Sequence, residues 1–555
     1  MWSIKINPCF YRKLLTQYFL IFCFSSVISF QANAAITAPV LKWKNGGCYS
    51  SWCETGWYSS PAVEDLDNNG TKEIVASAYS IVALEGNTGE VIWRIDPGKD
   101  RNDPPGYSYR TWPRIWLKDV DGDELPEIIS AHAGGYVSVY DNQGYFESGW
   151  PQRPTNSELR GLHVGDIDND GTDEIIVTAA IASKTNTWVY EHNGTLRAGW
   201  PQLSNNSGYA WGVYNDNAFI GDLDGDSEQE IIVPSDVHYI CAYKPSGVQL
   251  PTHSMFGDKA WGAVGIWEST VPELRGWGEC SGERTESYRT NFANGASVVV
   301  DVDGDNINEV VVTGNVYDCH AGYPPSKYIG VYIFNADRSR FKKNGWDWET
   351  PPVDTGSPLS ENYNVIENIQ PNPVVVDLDF DGNKEILYPS YDGKLHAFWL
   401  DKTEHHNWPY AVHNNSDGFI RFASEPVVAD LDQDQCSEVI FTSWVEKATS
   451  GMRLGKLHIL DCRGNVVHEQ DLPHPKSSSQ HDNGALPAPT IANIDADADY
   501  ELVINTIRSG FVAYDLPDSA GAIIQWQSGR QPVDSPEEIV RSRAWRSILP
   551  FIIND

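Results

Sequence analysis

Past its first thirty residues, this 555-residue chain has no apolar run long enough to cross a bilayer as a helix. Positive charge is scarce, with 40 Lys and Arg against 76 Asp and Glu, for a formal charge of −36. Phosphate binding needs clustered Lys and Arg, so the balance argues against nucleic acid as a partner. The usual catalytic signatures are missing too. There is no Gly-x-Ser-x-Gly elbow, no His-Glu-x-x-His and no phosphate loop. A quinoprotein-like stretch, Val82 to Trp93, occurs only once, which argues against a quinone cofactor.

Cysteine is sparse, and two of the nine lie near the N-terminus. There Lys5, Arg12 and Lys13 precede an apolar stretch from Tyr18 to Phe30 and a small-residue site, Ala32-Asn33-Ala34. That pattern reads as a secretory signal over residues 1–34. The expected location is secreted, extracellular or at the cell surface, with the periplasm as the other compartment. Such compartments permit disulfides. Cys48 and Cys53 are close enough to pair locally. Cys436 with Cys462, and Cys280 with Cys319, are further candidates, which leaves Cys241 as a buried thiol.

What the chain does have is a string returning eight times: acidic or amide residues at places 1, 3 and 5, Glu at place 9, and an aliphatic residue next. Place 1 is Asp65, Asp119, Asp166, Asp222, Asp301, Asp377, Asp430 and Asn493. Place 3 is Asp67, Asp121, Asp168, Asp224, Asp303, Asp379, Asp432 and Asp495. Place 5 is Asn69, Asp123, Asp170, Asp226, Asp305, Asp381, Asp434 and Asp497. Place 9 is Glu73, Glu127, Glu174, Glu230, Glu309, Glu385, Glu438 and Glu501. Carboxylates packed this densely repel one another unless a cation sits among them. A hard ion with about 6–8 oxygen ligands fits best, so the expected cofactor is Ca²⁺. No soft ligand recurs, which argues against zinc or copper.

Place 7 varies freely (Thr71, Leu125, Thr172, Glu228, Ile307, Asn383, Cys436, Asp499), as expected where the ligand is the backbone carbonyl. An EF-hand would need a bidentate Glu at place 12 and flanking helices. Here place 12 is Ala76, Ser130, Val177, Val233, Val312, Tyr388, Phe441 and Ile504, none of which can ligate. β-Branched runs such as Glu309-Val310-Val311-Val312 follow instead and read as buried strands. Place 6 is Gly only at Gly70, Gly171 and Gly382, so the tight turn is expected to be less assured elsewhere. Asn493 gives the last copy one charge fewer, so that site is expected to be the weakest. Thirty of the 76 acidic residues fall at places 1, 3, 5 and 9, and eight divalent ions would bring −36 to −20.

Each copy sits between short apolar runs, at a period of roughly 50–80 residues that points to a repeat fold. Two further strands follow, the last ending in an aromatic, as in Gly149-Trp150-Pro151, Gly199-Trp200-Pro201 and Trp408-Pro409. Four strands per unit without helical periodicity describe a propeller blade. The expected fold is an all-β propeller of four-stranded antiparallel blades, eight in number or seven with one degenerate unit. A strand at Val40 to Lys44 completes the last blade or lies outside the ring.

These units resemble the FG-GAP/VCBS calcium-binding repeats of bacterial secreted proteins and, more remotely, the integrin α propeller. The resemblance covers roughly residues 55–530, within a propeller domain over 35–530 followed by a tail over 531–555. It implies calcium at the forty positions named above. The integrin Gly-Ala-Pro ending is missing, so integrin-type partner binding is not carried over.

In such a ring the acidic loops rim one face, and long insertions (His253 to Phe292, Thr313 to Lys327) fall on the other. Aromatics there include Tyr107, Tyr109, Trp112, Tyr209, Trp211, Trp261, Trp267, Trp277 and Tyr288, suited to stacking against sugars. Arg110, Arg289, Arg421 and the run His481-Asp482-Asn483 are expected to converge near the same mouth. The favoured reading is a binding or adhesion module for a polysaccharide or cell-surface ligand. A lyase acting on an acidic polysaccharide is the alternative, with His132, His163 and His320 as loosely placed bases and the catalytic residues unknown. A purely structural surface domain comes third.

Overall fold

The computed structural model describes residues 36–50, 53, 55, 58–77, 79–104, 106, 110–180, 185–202, 218–234, 239–251, 261–263, 297–317, 326–349, 372–390 and 392–532, with strand residues 279–280, 283–284 and 290–291. Residues 1–35, where the signal is expected, residues 533–555, Cys319, His320, Arg289 and most of both insertions lie outside them. Among the described residues there are strands and a single 3-10 turn at Asn415–Asp417, and no α-helix.

Every acidic string joins the first two strands of its own antiparallel sheet. The first such pair is Ala62–Glu64 with Glu73–Ser77, and the fifth is Ser297–Val300 with Glu309–Tyr317. The string's flanking aliphatics explain why each loop closes. Residues at place 2 and place 10, from Leu66 and Ile74 to Ile494 and Leu502, are all buried. Second strands such as Glu174–Ala179 and Glu438–Val445 are buried along their whole length, because a neighbouring sheet packs on each side. In the fifth sheet, Glu309–Tyr317 and Ser326–Phe334 run on together as a nine-residue hairpin, so the second insertion begins as an extension of the sheet.

First strands of neighbouring sheets pack side by side at Ala62–Glu64 with Trp116–Lys118, Leu159–Gly165 with Phe219–Gly221, Phe219–Gly221 with Ser297–Val300 and Ser297–Val300 with Val374–Val376, and the last (Thr490–Ala492) returns to the first (Ala62–Glu64). The ring therefore closes. Closure leaves few unpaired strand edges, which is what an open row of such sheets would expose. Both ends of the described residues take part. The N-terminal strand, Val40–Gly46, pairs antiparallel with Phe511–Leu516 as the outer strand of the last sheet. The C-terminal strand, Ile523–Ser528, is not legible in the repeat. It pairs with Val427–Asp430 on the inner side and packs between Val374–Val376 and Thr490–Ala492. The axial position in that part of the ring is thus filled by the protein's own chain.

Polar groups hold this strand in place. Ser528 shares a hydrogen bond of 2.8 Å with Thr490, and Arg114 donates to the Gly529 carbonyl at 3.2 Å. The Arg530 backbone N–H donates to Glu425 at 2.8 Å, and its guanidinium donates to Asn372 at 2.7 Å.

A tryptophan latch repeats around the ring. The indole N–H of Trp93 donates to the Asn142 carbonyl, Trp150 to His192, Trp200 to Pro245, Trp348 to Leu400 and Trp408 to Cys462, at 2.8–3.3 Å. In each case the fourth-strand segment of one sheet reaches the outer turn of the next. Trp43 on the N-terminal strand makes the same bond to Gly86 at 2.8 Å, so that strand carries the full role of an outer strand. Trp200→Phe keeps most of the apolar area but leaves a carbonyl without its donor. The expected loss is about 1–3 kcal/mol in urea denaturation; an unchanged midpoint would show that the bond contributes nothing.

Candidate metal centres

Place-9 glutamate opens the second strand and is buried in all eight loops, at 0–5 % exposure. One carboxylate oxygen accepts the backbone N–H of place 2, from Leu66 to Glu73 at 2.9 Å through Ile494 to Glu501 at 2.8 Å. The other oxygen faces the acids at places 1 and 3. Glu174 Oε1, Glu230 Oε1, Glu385 Oε1, Asp168 Oδ1, Asp379 Oδ1 and Asp432 Oδ1 are buried without a hydrogen-bond partner. Acid groups such as Asp65, Asp67 and Glu73, or Asp301, Asp303 and Glu309, bring one oxygen each within 4.8 Å of one another. Orphaned oxygens converging this closely fit a hard divalent ion.

The remaining donors are held by the loop itself. Place-1 carboxylates accept backbone N–H groups further along, as Asp65 does from Asn69 and Gly70 at 3.0 and 2.7 Å. Place-5 side chains accept the N–H of place 7, as in Leu125 to Asp123 and Asn383 to Asp381, both 2.8 Å. The side chain at place 7 plays no part in this bond, which accounts for its freedom.

Glycine at place 6 turns out not to decide the turn. Gly70, Gly171 and Gly382 have φ of 88–97°, but Glu124, Ser227, Asn306 and Gln435 reach 65–75° in the same position. The place-1 carboxylate accepts their N–H groups, at 2.7–3.2 Å, as it does those of the three glycines. The last loop departs from this pattern. Asn493 donates its amide to the Asp497 carbonyl at 2.7 Å, and neither Ala496 nor Ala498 has a positive φ.

Four loops contain a cation from the chain itself, a feature the string does not announce. Arg197 pairs with Asp168 and lies 3.0 Å from Glu174, without hydrogen-bond alignment to the latter. Lys244 is 2.9 and 2.6 Å from Asp224 and Asp226, and 3.6 Å from Glu230. Lys343 pairs with Asp305 and lies 3.2 Å from Asp303. Lys42, on the N-terminal strand, pairs with Asp495 and lies 3.4 Å from Glu501. The available sequence signal is a basic residue on the outer strand segment of the sheet, as at Arg197, Lys343 and Lys42, or just after its third strand, as at Lys244.

Burial pushes the glutamates' pKa values up. Glu73, Glu127, Glu309 and Glu501 rise to about 7, Glu174 to about 8, and Glu385 and Glu438 to about 9. Desolvation is the main cause, and the neighbouring aspartates add to it. Unfolded glutamate titrates at about 4.3, so in the metal-free protein these glutamates hold more protons folded than unfolded between about pH 4.5 and 9. These groups therefore favour the fold most at low pH, and that advantage is lost as pH rises through 7–9. In chelator, the melting temperature is expected to fall between pH 5 and pH 9. A flat or rising profile would contradict the burial.

Cysteine chemistry follows the expected pairing where it is described. Cys48–Cys53 and Cys436–Cys462 are disulfides, and Cys241 is a buried free thiol. Cys436 occupies place 7, so its bridge fastens an acidic loop to the outer turn of the same sheet. The Cys280–Cys319 pairing lies outside the described residues.

Of the expected aromatic platforms, the two among the described residues are closed. Trp112 and Trp261 are buried, at 7 % and 1 % exposure. Arg160 lies 3.8 Å over the Trp112 ring. Tyr107, Tyr109, Tyr209, Trp211, Trp267, Trp277 and Tyr288 lie outside the described residues. Three further arginines cover tyrosines: Arg94 over Tyr49 at 4.1 Å, Arg110 over Tyr79 at 5.0 Å and Arg153 over Tyr136 at 4.6 Å. Arg421 does not join them, being buried and paired with Asp417 at 2.7 Å. Asp482 and Asn483 are also buried, in a parallel pairing with Arg453 and Leu454. His132 and His163 are buried, and desolvation lowers both to about 3, which rules them out as solvent-facing bases.

Residues 119–177, spanning the second and third acidic strings, match the family model described as FG-GAP-like repeat. No curated protein matches this sequence. Among solved structures, the V. cholerae biofilm matrix protein Bap1 is similar at 15 % identity and TM-score 0.39, over 88 % of this chain and 93 % of that one. Rhamnogalacturonan lyase YesW is similar at 15 % identity and TM-score 0.45, over 86 % and 75 %. BamB from Moraxella catarrhalis is similar at 13 % identity and TM-score 0.42, over 82 % and 96 %. Likeness at this level carries nothing about ligand or activity. The strand–acidic loop–strand units closing into a ring are those of a β-propeller, and residues 119–177 within it match an FG-GAP-like repeat.

Proposed function

We propose that this protein is an exported, calcium-clipped β-propeller that serves as a binding module for an anionic polysaccharide or a similar cell-surface ligand. Calcium is the ion that the oxygen-only donor set favours, and millimolar extracellular calcium suits loops of this kind, at about 10⁻⁴–10⁻³ M. The observation carrying the ligand reading is the arc of Arg94, Arg110, Arg153 and Arg160, each stacked on an aromatic ring, on the face away from the acidic loops. On a chain of formal charge −36, these arginines place positive charge beside aromatic faces, with Arg160 already paired with Glu158 at 2.6 Å. A guanidinium offers a planar fork for carboxylate or sulfate, and the rings beside it offer apolar faces for sugars. The disulfides support an oxidising location.

The lyase alternative has lost two of its three candidate bases to burial. It therefore stands as an outcome of the test and not as a second conclusion.

Removing calcium is expected to lower the melting temperature, since an ion held at 100 times its dissociation constant stabilises a fold by about 2.7 kcal/mol per site. An array of uronic-acid and sulfated glycans should retain the protein, and Arg153→Ala should weaken retention severalfold. Release of unsaturated uronate, read in the ultraviolet, would replace binding with lyase activity. No retention on any anionic glycan would overturn the ligand reading.

A further inference from the structure

We propose that the eight acidic loops fall into two classes, with calcium taken by residues 65–73, 119–127, 377–385 and 430–438, while loops 166–174, 222–230, 301–309 and 493–501 are closed by the protein's own Arg197, Lys244, Lys343 and Lys42. This division rests on the calcium reading above and refines it. In the second class a side-chain nitrogen sits among the carboxylates that an ion would need. Arg197 engages Asp168, Glu174 and Glu191 together, and Lys244 engages Asp224, Asp226 and Glu230.

In the first class, among the described residues, no lysine or arginine pairs with Asp65, Asp67 or Glu73, with Asp119, Asp121 or Glu127, with Asp377, Asp379 or Glu385, or with Asp430, Asp432 or Glu438. Buried carboxylate oxygens without hydrogen-bond partners occur in both classes, Asp379 Oδ1, Glu385 Oε1 and Asp432 Oδ1 in the first and Asp168 Oδ1, Glu174 Oε1 and Glu230 Oε1 in the second; what differs is that in the second a basic nitrogen lies 3.0 Å from Glu174 Oε1 and 3.6 Å from Glu230 Oε1. Glu385 is fully buried and Glu438 is 3 % exposed, so neither can turn to solvent.

The second and third sheets supply an internal comparison. Glu147 and Arg197 hold the same backbone position, their N–H groups donating to Val139 and Val189 at 3.0 and 2.9 Å. In one sheet that position adds a carboxylate near Asp121 and Asp123, where it strengthens an ion cage. In the next it adds a guanidinium that fills the cage. A single substitution in each direction therefore exchanges the classes.

Calcium cannot simply outcompete the tethered cations. An intramolecular group acts at an effective concentration in the millimolar range or above, while calcium at such loops works at about 10⁻⁴–10⁻³ M. The ion must also displace a partner already engaged with two or three carboxylates. We expect the second class to bind calcium at least about tenfold more weakly than the first, a difference of about 1.4 kcal/mol per site.

The test is calcium stoichiometry of the mature protein, by equilibrium dialysis with radioactive calcium alongside elemental analysis. Four tight ions per chain are expected. Arg197→Met and Lys244→Met should each raise the number of tight ions by one, and Glu147→Arg should lower it by one. Should Arg197→Met fail to fold, the half-exposed Lys244 provides the same measurement. Eight ions of equal affinity in the wild-type protein, or no change in any variant, would overturn the division. No calcium at all would overturn the calcium reading itself and the division with it.

Discussion

A carboxylate sealed away from water at the start of each second strand is the constraint on which this ring depends. Its position is fixed by one hydrogen bond, from the place-2 N–H to the place-9 glutamate, made in all eight loops. The bond draws the aliphatic residues at places 2 and 10 into the core on either side of the loop. It also leaves the second oxygen of each glutamate in a crowd of aspartates. An ionised group in that position is costly unless it is neutralised. Chemistry offers three remedies: a proton, a metal ion or a basic side chain. The raised glutamate values express the first, the orphaned oxygens invite the second, and Arg197, Lys244, Lys343 and Lys42 provide the third.

Much of this was legible because the string is periodic and chemically specific. Place 9 never varies, and its neighbour is always aliphatic, which forces a strand to begin there. Aromatics at the ends of fourth strands were visible too, although their bonding was not, since an indole N–H and a carbonyl some 45 residues away share no local signature. The glycine count misled for a physical reason. A left-handed turn at place 6 is tolerated by Glu124 or Ser227 once the place-1 carboxylate accepts its N–H. Exposed platforms were misjudged at Trp112 and Trp261 because aromatic residues near a strand end pack under loops as readily as they face solvent. His132 and His163 show the same limit, since sequence gives no measure of depth.

Closure of the ring uses the two chain ends in opposite senses. The N-terminal strand adds an outer edge to the last sheet, with Trp43 repeating the latch made by the other sheets. The C-terminal strand adds an inner edge to the seventh sheet and occupies axial space. A repeat pattern predicts the first arrangement, because one unit lacks its fourth strand. It cannot predict the second, which adds a strand beyond the four that each unit needs.

That inner strand also joins the two faces. Near its start, Gln525 donates to the Asp377 carbonyl and to Ser437 Oγ, both at 2.7 Å, so it touches the sixth and seventh acidic loops together. Those loops are tied directly as well, by the Ser437 N–H donating to the Leu378 carbonyl at 2.9 Å. Five residues later the chain reaches Arg530, where Glu425 and Asn372 hold it on the opposite side. A rigid extended strand transmits displacement along its length, and its flanks are packed against Val374–Val376 and Thr490–Ala492. Filling or emptying the acidic loops at residues 377–385 and 430–438 therefore bears on the far end of the axis through covalent chain, whereas the loops closed by Lys244 and Lys343 have no such connection to it among the described residues.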